Sequence, residues 1–332
     1  MRRKLQYGVI GNGSWATALI KILTETNSMV YWHLRKYEYI EYIEKYGRNP
    51  RYLTEVTLDT GTLVLTADIN ELVEACDVVV FCVPSTFFVE TAETITASLD
   101  GKYMVSAIKG LVGDANLTIS EYFNQVMHVP DDHIAIISGP THAEEVAMEH
   151  ISYLTISSSN QKLTSAVCRA FECRFVQAIQ SNDVLGVEYS ACMKNIYSIA
   201  CGICHSYRMG DNFQAVLVTN AYNEMVNFLD KINPDPTRNP SQSAYLGDLL
   251  VTCYSQFSRN RVFGEMIGKG YSVVSINAQM SMVAEGYFAT KHIFKLAEKL
   301  GIRIPIIESV YHILYDGMKI RDTLKIFTSS LS

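Results

Sequence analysis

The stretch Tyr7-Gly8-Val9-Ile10-Gly11-Asn12-Gly13-Ser14-Trp15-Ala16-Thr17-Ala18 decides the fold. A short apolar run enters it, two glycines turn it, and a helix-periodic segment leaves it. That is the strand, tight turn and helix N-terminus that a dinucleotide pyrophosphate requires. Gly11 permits the turn, and Gly13 keeps side-chain atoms from coming between backbone and phosphates. Ala16 is small enough where the helix must pass close to the strand. Taken alone, a G-x-G-x-x-A is equally an ordinary glycine turn. Its place at the first strand, ahead of a long alternation of strand and helix patterns, is what gives it weight.

Working outward, Leu5 to Ile10 reads as the first strand, Trp15 to Thr26 as the first helix and Met29 to His33 as the second strand. The exit of that second strand carries chemical information. Sites that prefer NAD place an acid there for the ribose hydroxyls, whereas NADP sites place a cation for the 2′-phosphate. His33-Leu34-Arg35-Lys36 favours NADP(H) over NAD(H), with Arg35 as the phosphate contact and a solvated basic turn as the alternative. Tyr37 to Tyr46 is amphipathic and helical, and Asn49-Pro50 begins a loop. Leu63 to Thr66 and Asp77 to Val83 are strand-like, with Asp68 capping a short helix between them. Tyr103 to Ile108 delivers Lys109-Gly110 to the carboxyl edge of the sheet, where ligands of open α/β sheets bind. Ile134 to Ile137 delivers Ser138-Gly139-Pro140-Thr141, and Thr141 is placed to start the helix holding Ala143. Ile151 to Ser157 and Phe175 to Ala178 are the last strands, flanking a helix from Gln161 to Phe171.

Around Gln180-Ser181-Asn182-Asp183 the strand pattern stops. Val187 to Cys204, Phe213 to Leu229, Tyr245 to Phe257, Ser281 to Leu300 and Ile307 to Tyr315 then have helical periodicity. The expected architecture is α/β: an N-terminal Rossmann-like doubly wound sheet over 1–181 and a C-terminal all-helical domain over 182–332, with the site in the cleft between.

Within the first of these helices, Lys194 and Asn195 interrupt a small and apolar segment, and lysine is rarely buried without a reason. Reduction of a ketone leaves an alkoxide that must be protonated. A lysine in a closed cleft supplies that proton while its charge polarises the carbonyl, and a second cation such as Lys109 would lower its pKa toward the working range. Asp248 is suited to orient a lysine or accept from a substrate hydroxyl. Arg259 with Asn260 is suited to grip a phosphate, since guanidinium forks match phosphate oxygens. For Lys109, Lys194 and the 254–261 segment, solvated surface placement is the competing reading.

Composition bounds the rest. At 332 residues, 48% hydrophobic and 19% charged, the chain can bury a large core and divides into two domains. A net charge of -6 and a pI near 5.8 argue against a nucleic-acid partner or an anionic membrane surface. No apolar run approaches the roughly 18 to 20 residues of a membrane span. Met1-Arg2-Arg3-Lys4 leads into the first strand, because Gly11, Asn12, Gly13 and Lys21 interrupt any signal-peptide core. The eight scattered cysteines are then most simply reduced thiols of a cytoplasmic protein. Cys201-Gly202-Ile203-Cys204 lacks the second pair a zinc site needs, so it reads as two small apolar residues on a helix face, and no metal site is expected.

With these residues in hand, the chain resembles the bacterial-type NAD(P)-dependent glycerol-3-phosphate dehydrogenases over nearly its whole length. The resemblance is carried by Gly11 to Ala18, Arg48-Asn49-Pro50-Arg51-Tyr52-Leu53, Lys109-Gly110, Ser138 to Thr141, Lys194-Asn195, Gly210-Asp211-Asn212, Gly247-Asp248-Leu249, Ser258-Arg259-Asn260-Arg261 and Val283-Ala284-Glu285-Gly286. It implies reduction of dihydroxyacetone phosphate to sn-glycerol 3-phosphate for phospholipid synthesis, by a cytoplasmic homodimer. Motif by motif, it puts Lys194 at the catalytic acid/base and Lys109 at a residue touching cofactor and substrate. Gly139, Thr141, Asp248, Ser258, Arg259 and Asn260 fall at substrate positions. Ser14, Trp15, Arg35, Ala143, Arg259, Val283 and Glu285 fall at cofactor positions. Departures include Thr54-Glu55 in place of Pro-Gly, Ser206-Tyr207-Arg208 in place of glycines and leucine, and Asn220-Ala221 in place of Arg-Gly. The rival readings are a related two-domain dehydrogenase acting on a hydroxy acid, and a non-catalytic NADP-sensing regulator.

Overall fold

The computed structural model describes residues 4–26, 29–280 and 284–331. In it the glycine turn follows an inner strand of an eight-stranded sheet. The strands are β1 (Tyr7–Ile10), β2 (Val30–His33), β3 (Leu63–Thr66), β4 (Val78–Phe81), β5 (Tyr103–Ser106), β6 (Ile134–Ser138), β7 (Ser152–Ser157) and β8 (Val176–Ser181). Their spatial order is β3-β2-β1-β4-β5-β6-β7-β8. The first six run parallel in the doubly wound order, so the sequence of strands reverses direction between β1 and β4, where such sheets bind ligands. β7 turns antiparallel to β6, and β8 runs parallel to β7. Helices α1 (Ser14–Thr26), α2 (Tyr37–Tyr46), α3 (Ile69–Ala75), α4 (Ser85–Glu93), α5 (Ile119–Gln125), α6 (Ala143–Ala147) and α7 (Gln161–Phe171) accompany the sheet. β1 and β4 are buried at every position, which is why both read as unbroken apolar runs.

Two sequence expectations change here. β8 runs on to Ser181, because its backbone pairs with β7 as far as Ser157↔Ser181, and an outer strand tolerates the polar Gln177 and Gln180. Thr141 does not cap α6; His142 holds that position, and the Thr141 hydroxyl donates to the Tyr153 carbonyl at 2.8 Å.

The second compact unit is helical: α8 (Val184–Ser206), α9 (Gly210–Ile232), α10 (Asp248–Tyr254), α11 (Arg259–Gly268), α12 (Val273–Gln279), α13 (Glu285–Leu300), α14 (Pro305–Tyr315) and α15 (Ile320–Ser330). Clustering of contacts divides the chain into Met1–Ile108 with Leu117–Val184, and Lys109–Asn116 with Leu185–Ser332. Lys109, three residues beyond the carboxyl end of β5, is thus the first residue of a segment grouped with the helical unit. Leu111 and Val112 in the same segment are both buried. The helix expected over Tyr245 to Phe257 is a π-helical turn, Ser243–Gly247, followed by α10, which stops where Ser255 turns extended. Of the helix expected from Ser281, residues 281–283 lie outside the described residues.

α8 is buried from Gly186 to Cys204, as a helix small and apolar on all sides must be. Its contact with α11 is made backbone to backbone. A Cβ on Gly202 would stand 2.0 Å from the Arg261 carbonyl oxygen, and one on Gly264 would stand 2.2 Å from that of Ile199. In a free helix alanine is favoured over glycine by about 1 kcal/mol. Here the sign reverses: Gly202→Ala is expected to destabilise by about 1–3 kcal/mol through overpacking, read as a lowered urea midpoint. A midpoint that rises, as helix propensity alone dictates, contradicts this packing.

Candidate functional site

At the dinucleotide turn, Gly11 has φ +133, and a Cβ there would lie 2.2 Å from the Cys82 carbonyl oxygen at the exit of β4. Glycine is required by both backbone and space. A Cβ on Gly13, by contrast, would meet nothing within 4 Å. Packing among the described residues therefore does not demand glycine at Gly13. Ser14 is buried at the first residue of α1, and Trp15 is half-buried. Arg35 is exposed just beyond the end of β2, the strand next to β1. Gly139, Thr141 and Ala143 are buried beyond the carboxyl end of β6. Gly139 has a packing reason of its own, since with φ +115 its Cβ would stand 2.8 Å from the Tyr153 carbonyl oxygen.

The turn is held by two side chains that sequence reasoning did not assign to it. Trp32 Nε1 donates to the Gly11 carbonyl at 2.6 Å. Asn49 Nδ2 donates to the Asn12 carbonyl at 3.1 Å and to Thr17 Oγ1 at 2.8 Å, while Asn49 Oδ1 accepts from the backbone N–H groups of Arg51 and Tyr52. A buried amide using both ends in this way fixes the turn's shape. The Asn-Pro pair was the signal available, and it reads only as the start of a loop.

In the helical unit a repeat brings the polar residues together. Ser190 Oγ, 3.0 Å from the Val187 carbonyl of its own helix, also faces the Ala244 carbonyl at 3.4 Å, Lys194 Nζ donates to Asp248 Oδ1, and Ser198 Oγ donates to the Thr252 carbonyl, each interhelical pair 54 residues apart. Every fourth residue of α8 thus meets every fourth residue of the π turn and α10, one ridge along another. Lys194 and Asp248 side chains are 5% and 1% exposed, and Lys109 Nζ stands 3.9 Å from the other carboxylate oxygen of Asp248. Two lysine nitrogens therefore face one buried carboxylate. Burial lowers the Lys194 pKa below the ordinary lysine value of 10.5; Asp248 opposes that shift and Lys109 adds to it.

Next to this pair, Ser258 caps α11 and its Oγ lies 2.8 Å from Ser198 Oγ. Asn260 Oδ1 accepts from the Gly286 N–H at 2.9 Å, and a Cβ on Gly286 would stand 2.6 Å from the Asn195 carbonyl oxygen. The starts of α11 and α13 thus close on the Lys194-Asn195 turn of α8, carrying half-buried Arg259 and Glu285 with them. Val283 lies outside the described residues. Cys201 and Cys204 are buried thiols on α8.

A doubly wound dinucleotide sheet followed by a helical unit with a buried lysine–carboxylate pair defines a nicotinamide-dependent dehydrogenase as a class. Comparison with known proteins makes the class specific. Residues 6–164 match the model of the NAD-dependent glycerol-3-phosphate dehydrogenase N-terminus and residues 183–325 that of its C-terminus. The chain is 34% identical to glycerol-3-phosphate dehydrogenase [NAD(P)+] of Prosthecochloris aestuarii over 95% of both chains. It is 32% identical to the enzyme of the same name from Bacillus pumilus, over 96% of this chain and 92% of that one. Glycerol-3-phosphate dehydrogenase from Coxiella burnetii superposes with a TM-score of 0.90 at 26% identity, covering 98% of this chain and 99% of the other. A ketopantoate reductase from Ralstonia eutropha reaches 0.58 at 14% identity over 98% of this chain and all of that one, a likeness of fold alone. The chain belongs to the NAD-dependent glycerol-3-phosphate dehydrogenase family and is an oxidoreductase that uses a nicotinamide cofactor. Among the described residues, no helix is long and apolar enough to cross a membrane.

The lowered Lys194 pKa has a consequence for stability. Between the folded value and 10.5 the unfolded chain holds a proton on Lys194 that the folded protein has released. The contribution is fully present above 10.5 and is lost as pH falls through the folded value. The difference in unfolding free energy between wild type and Lys194→Met, measured in urea, is therefore expected to rise with pH from neutral into the alkaline range. A difference that is flat or falls contradicts the burial of an ionisable lysine.

Proposed function

We propose that the protein reduces dihydroxyacetone phosphate to sn-glycerol 3-phosphate, with Lys194 as proton donor and acceptor. The observation that carries this reading is the buried Lys194–Asp248 pair with Lys109 beside it, in a chain of this family. NAD(P)H, when bound, would supply the hydride for the carbonyl carbon. The proton on the product oxygen comes from the Lys194 ammonium, and Asp248 holds that ammonium in place. Lys109 adds a second positive charge toward the developing alkoxide. The Gly286 N–H fixes the Asn260 amide, so Nδ2 donates to a substrate phosphate oxygen alongside the Arg259 guanidinium. Ser258, Gly139 and Thr141 border the substrate, and Arg259 and Glu285 also serve the cofactor. Gly11, Gly13, Ser14, Trp15, Arg35 and Ala143 hold the dinucleotide, and Arg35 gives NADP(H) its preference over NAD(H). The product feeds glycerophospholipid synthesis in the cytoplasm, and the enzyme acts as a homodimer, as its family resemblance implies.

Removing the proton donor tests the reading against a binding-only regulator. Lys194→Ala is expected to keep NADPH affinity by fluorescence titration while losing roughly 10²- to 10⁴-fold in turnover, the usual range for a general acid. Unchanged turnover refutes the mechanism. Turnover of a 3-hydroxy acid with none of dihydroxyacetone phosphate refutes the substrate. For the cofactor, Arg35→Ala is expected to raise the Kd of NADPH more than that of NADH. Equal losses leave Arg35 as a surface turn residue.

A further inference from the structure

The short segment carrying Lys109 is fastened to the helical unit at three places. At its near end, the Lys109 ammonium stands beside the Asp248 carboxylate. In its middle, Leu111 and Val112 are buried, while Gly113, Asp114 and Ala115 are exposed. At its far end, the Asn116 side-chain oxygen is hydrogen-bonded to His292 Nδ1 on α13. Asn116 sits at φ +55, a left-handed conformation that asparagine tolerates better than most residues. Burial first, then Lys291 and Lys295, lowers the His292 pKa, so the ring is neutral at physiological pH. Its one N–H is then directed by the acceptor at Asn116. α13 also begins at the site itself, where Gly286 is pressed against Asn195 and Asn260. One rigid helix thus touches the Lys194 turn with its first residues and grips the tail of the Lys109 segment two turns later.

We propose that His292 is a positioning residue for Lys109: by holding Asn116 to α13 it fixes the segment that sets the Lys109 ammonium beside Asp248 and Lys194. The inference rests on the reading of these two lysines as parts of the dehydrogenase site. His292 touches no reacting atom in this account and acts through Lys109.

The test compares Lys109→Ala, His292→Ala, His292→Asn, His292→Gln and Asn116→Ala for KM of dihydroxyacetone phosphate, kcat against pH and thermal midpoint. His292→Ala is expected to raise KM roughly fivefold, as loss of one hydrogen bond of about 1 kcal/mol would. It should also move the Lys194 limb of the pH profile upward, in the same direction as Lys109→Ala, because the neighbouring ammonium that lowers it is held less firmly. Asparagine places an N–H where Nδ1 was and restores both properties; glutamine, whose amide reaches the Nε2 position, does not. Asn116→Ala, at a surface turn, gives the same signature should His292→Ala fold poorly. Its effect on the thermal midpoint is less than additive with that of His292→Ala. A lowered midpoint in His292→Ala and Asn116→Ala with KM and pH profile unmoved, while Lys109→Ala alters both, overturns this inference alone. Should Lys109→Ala itself leave both unmoved, the site reading fails and the inference with it.

Discussion

A lysine ammonium taken out of water against a single carboxylate is the constraint on which the helical unit is built. Burying Lys194 alone would cost several kcal/mol, so the surrounding helices must deliver Asp248 to it in register. They do so through the common four-residue repeat of α8 and the turn leading into α10, with Ser190 facing the Ala244 carbonyl on one side of the pair and Ser198 bonded to the Thr252 carbonyl on the other. Small residues make that close packing possible, and Gly202, Gly264 and Gly286 each stand where a methyl group would strike a neighbouring backbone. A charge pair of this kind is weak support for stability in itself, but it fixes one arrangement of helices and leaves a proton on a group whose affinity for it is reduced.

The sheet half meets a different constraint, that of holding a tight glycine turn between β1 and α1. Gly11 and Gly13 stand in unlike surroundings. Gly11 is demanded by the protein's own backbone, pressed on Cys82, whereas a Cβ on Gly13 would meet open space. Trp32 and Asn49 then brace the turn from β2 and from the loop after α2. The amides are thus held in place before any ligand arrives, which lowers the ordering cost of binding.

Much of this was legible in the residues, for identifiable reasons. Tyr37–Tyr46 and Gln161–Phe171 have the bounds that periodicity gave them, because each buries one face with a clear repeat, and Leu63–Thr66 has the bounds of its short apolar run. Lys194 stood out because a charge inside an apolar helix is conspicuous. α11 was not legible: its opening Arg259-Asn260-Arg261 reads as a solvated loop, and its glycines serve contact with α8 instead of helix propensity. α5 passed unread although Thr118 and Glu121 form a capping box. The allegiance of Lys109 was hidden as well. Strand periodicity carries the chain to Lys109 but says nothing of the long-range contacts that group Lys109–Asn116 with the helical unit. Asn49 was invisible for the same reason, since its partners Asn12 and Thr17 are distant in sequence.

The central claim is that Lys194 is a buried amine with weakened proton affinity. Its direct measure is a pH titration of the side-chain nitrogen by ¹⁵N NMR in lysine-labelled protein, with the resonance assigned by its loss in Lys194→Met. The account predicts a midpoint clearly below the ordinary lysine value of 10.5. A midpoint at or above that value would mean that Asp248 outweighs burial, and would leave the site without a proton poised for transfer.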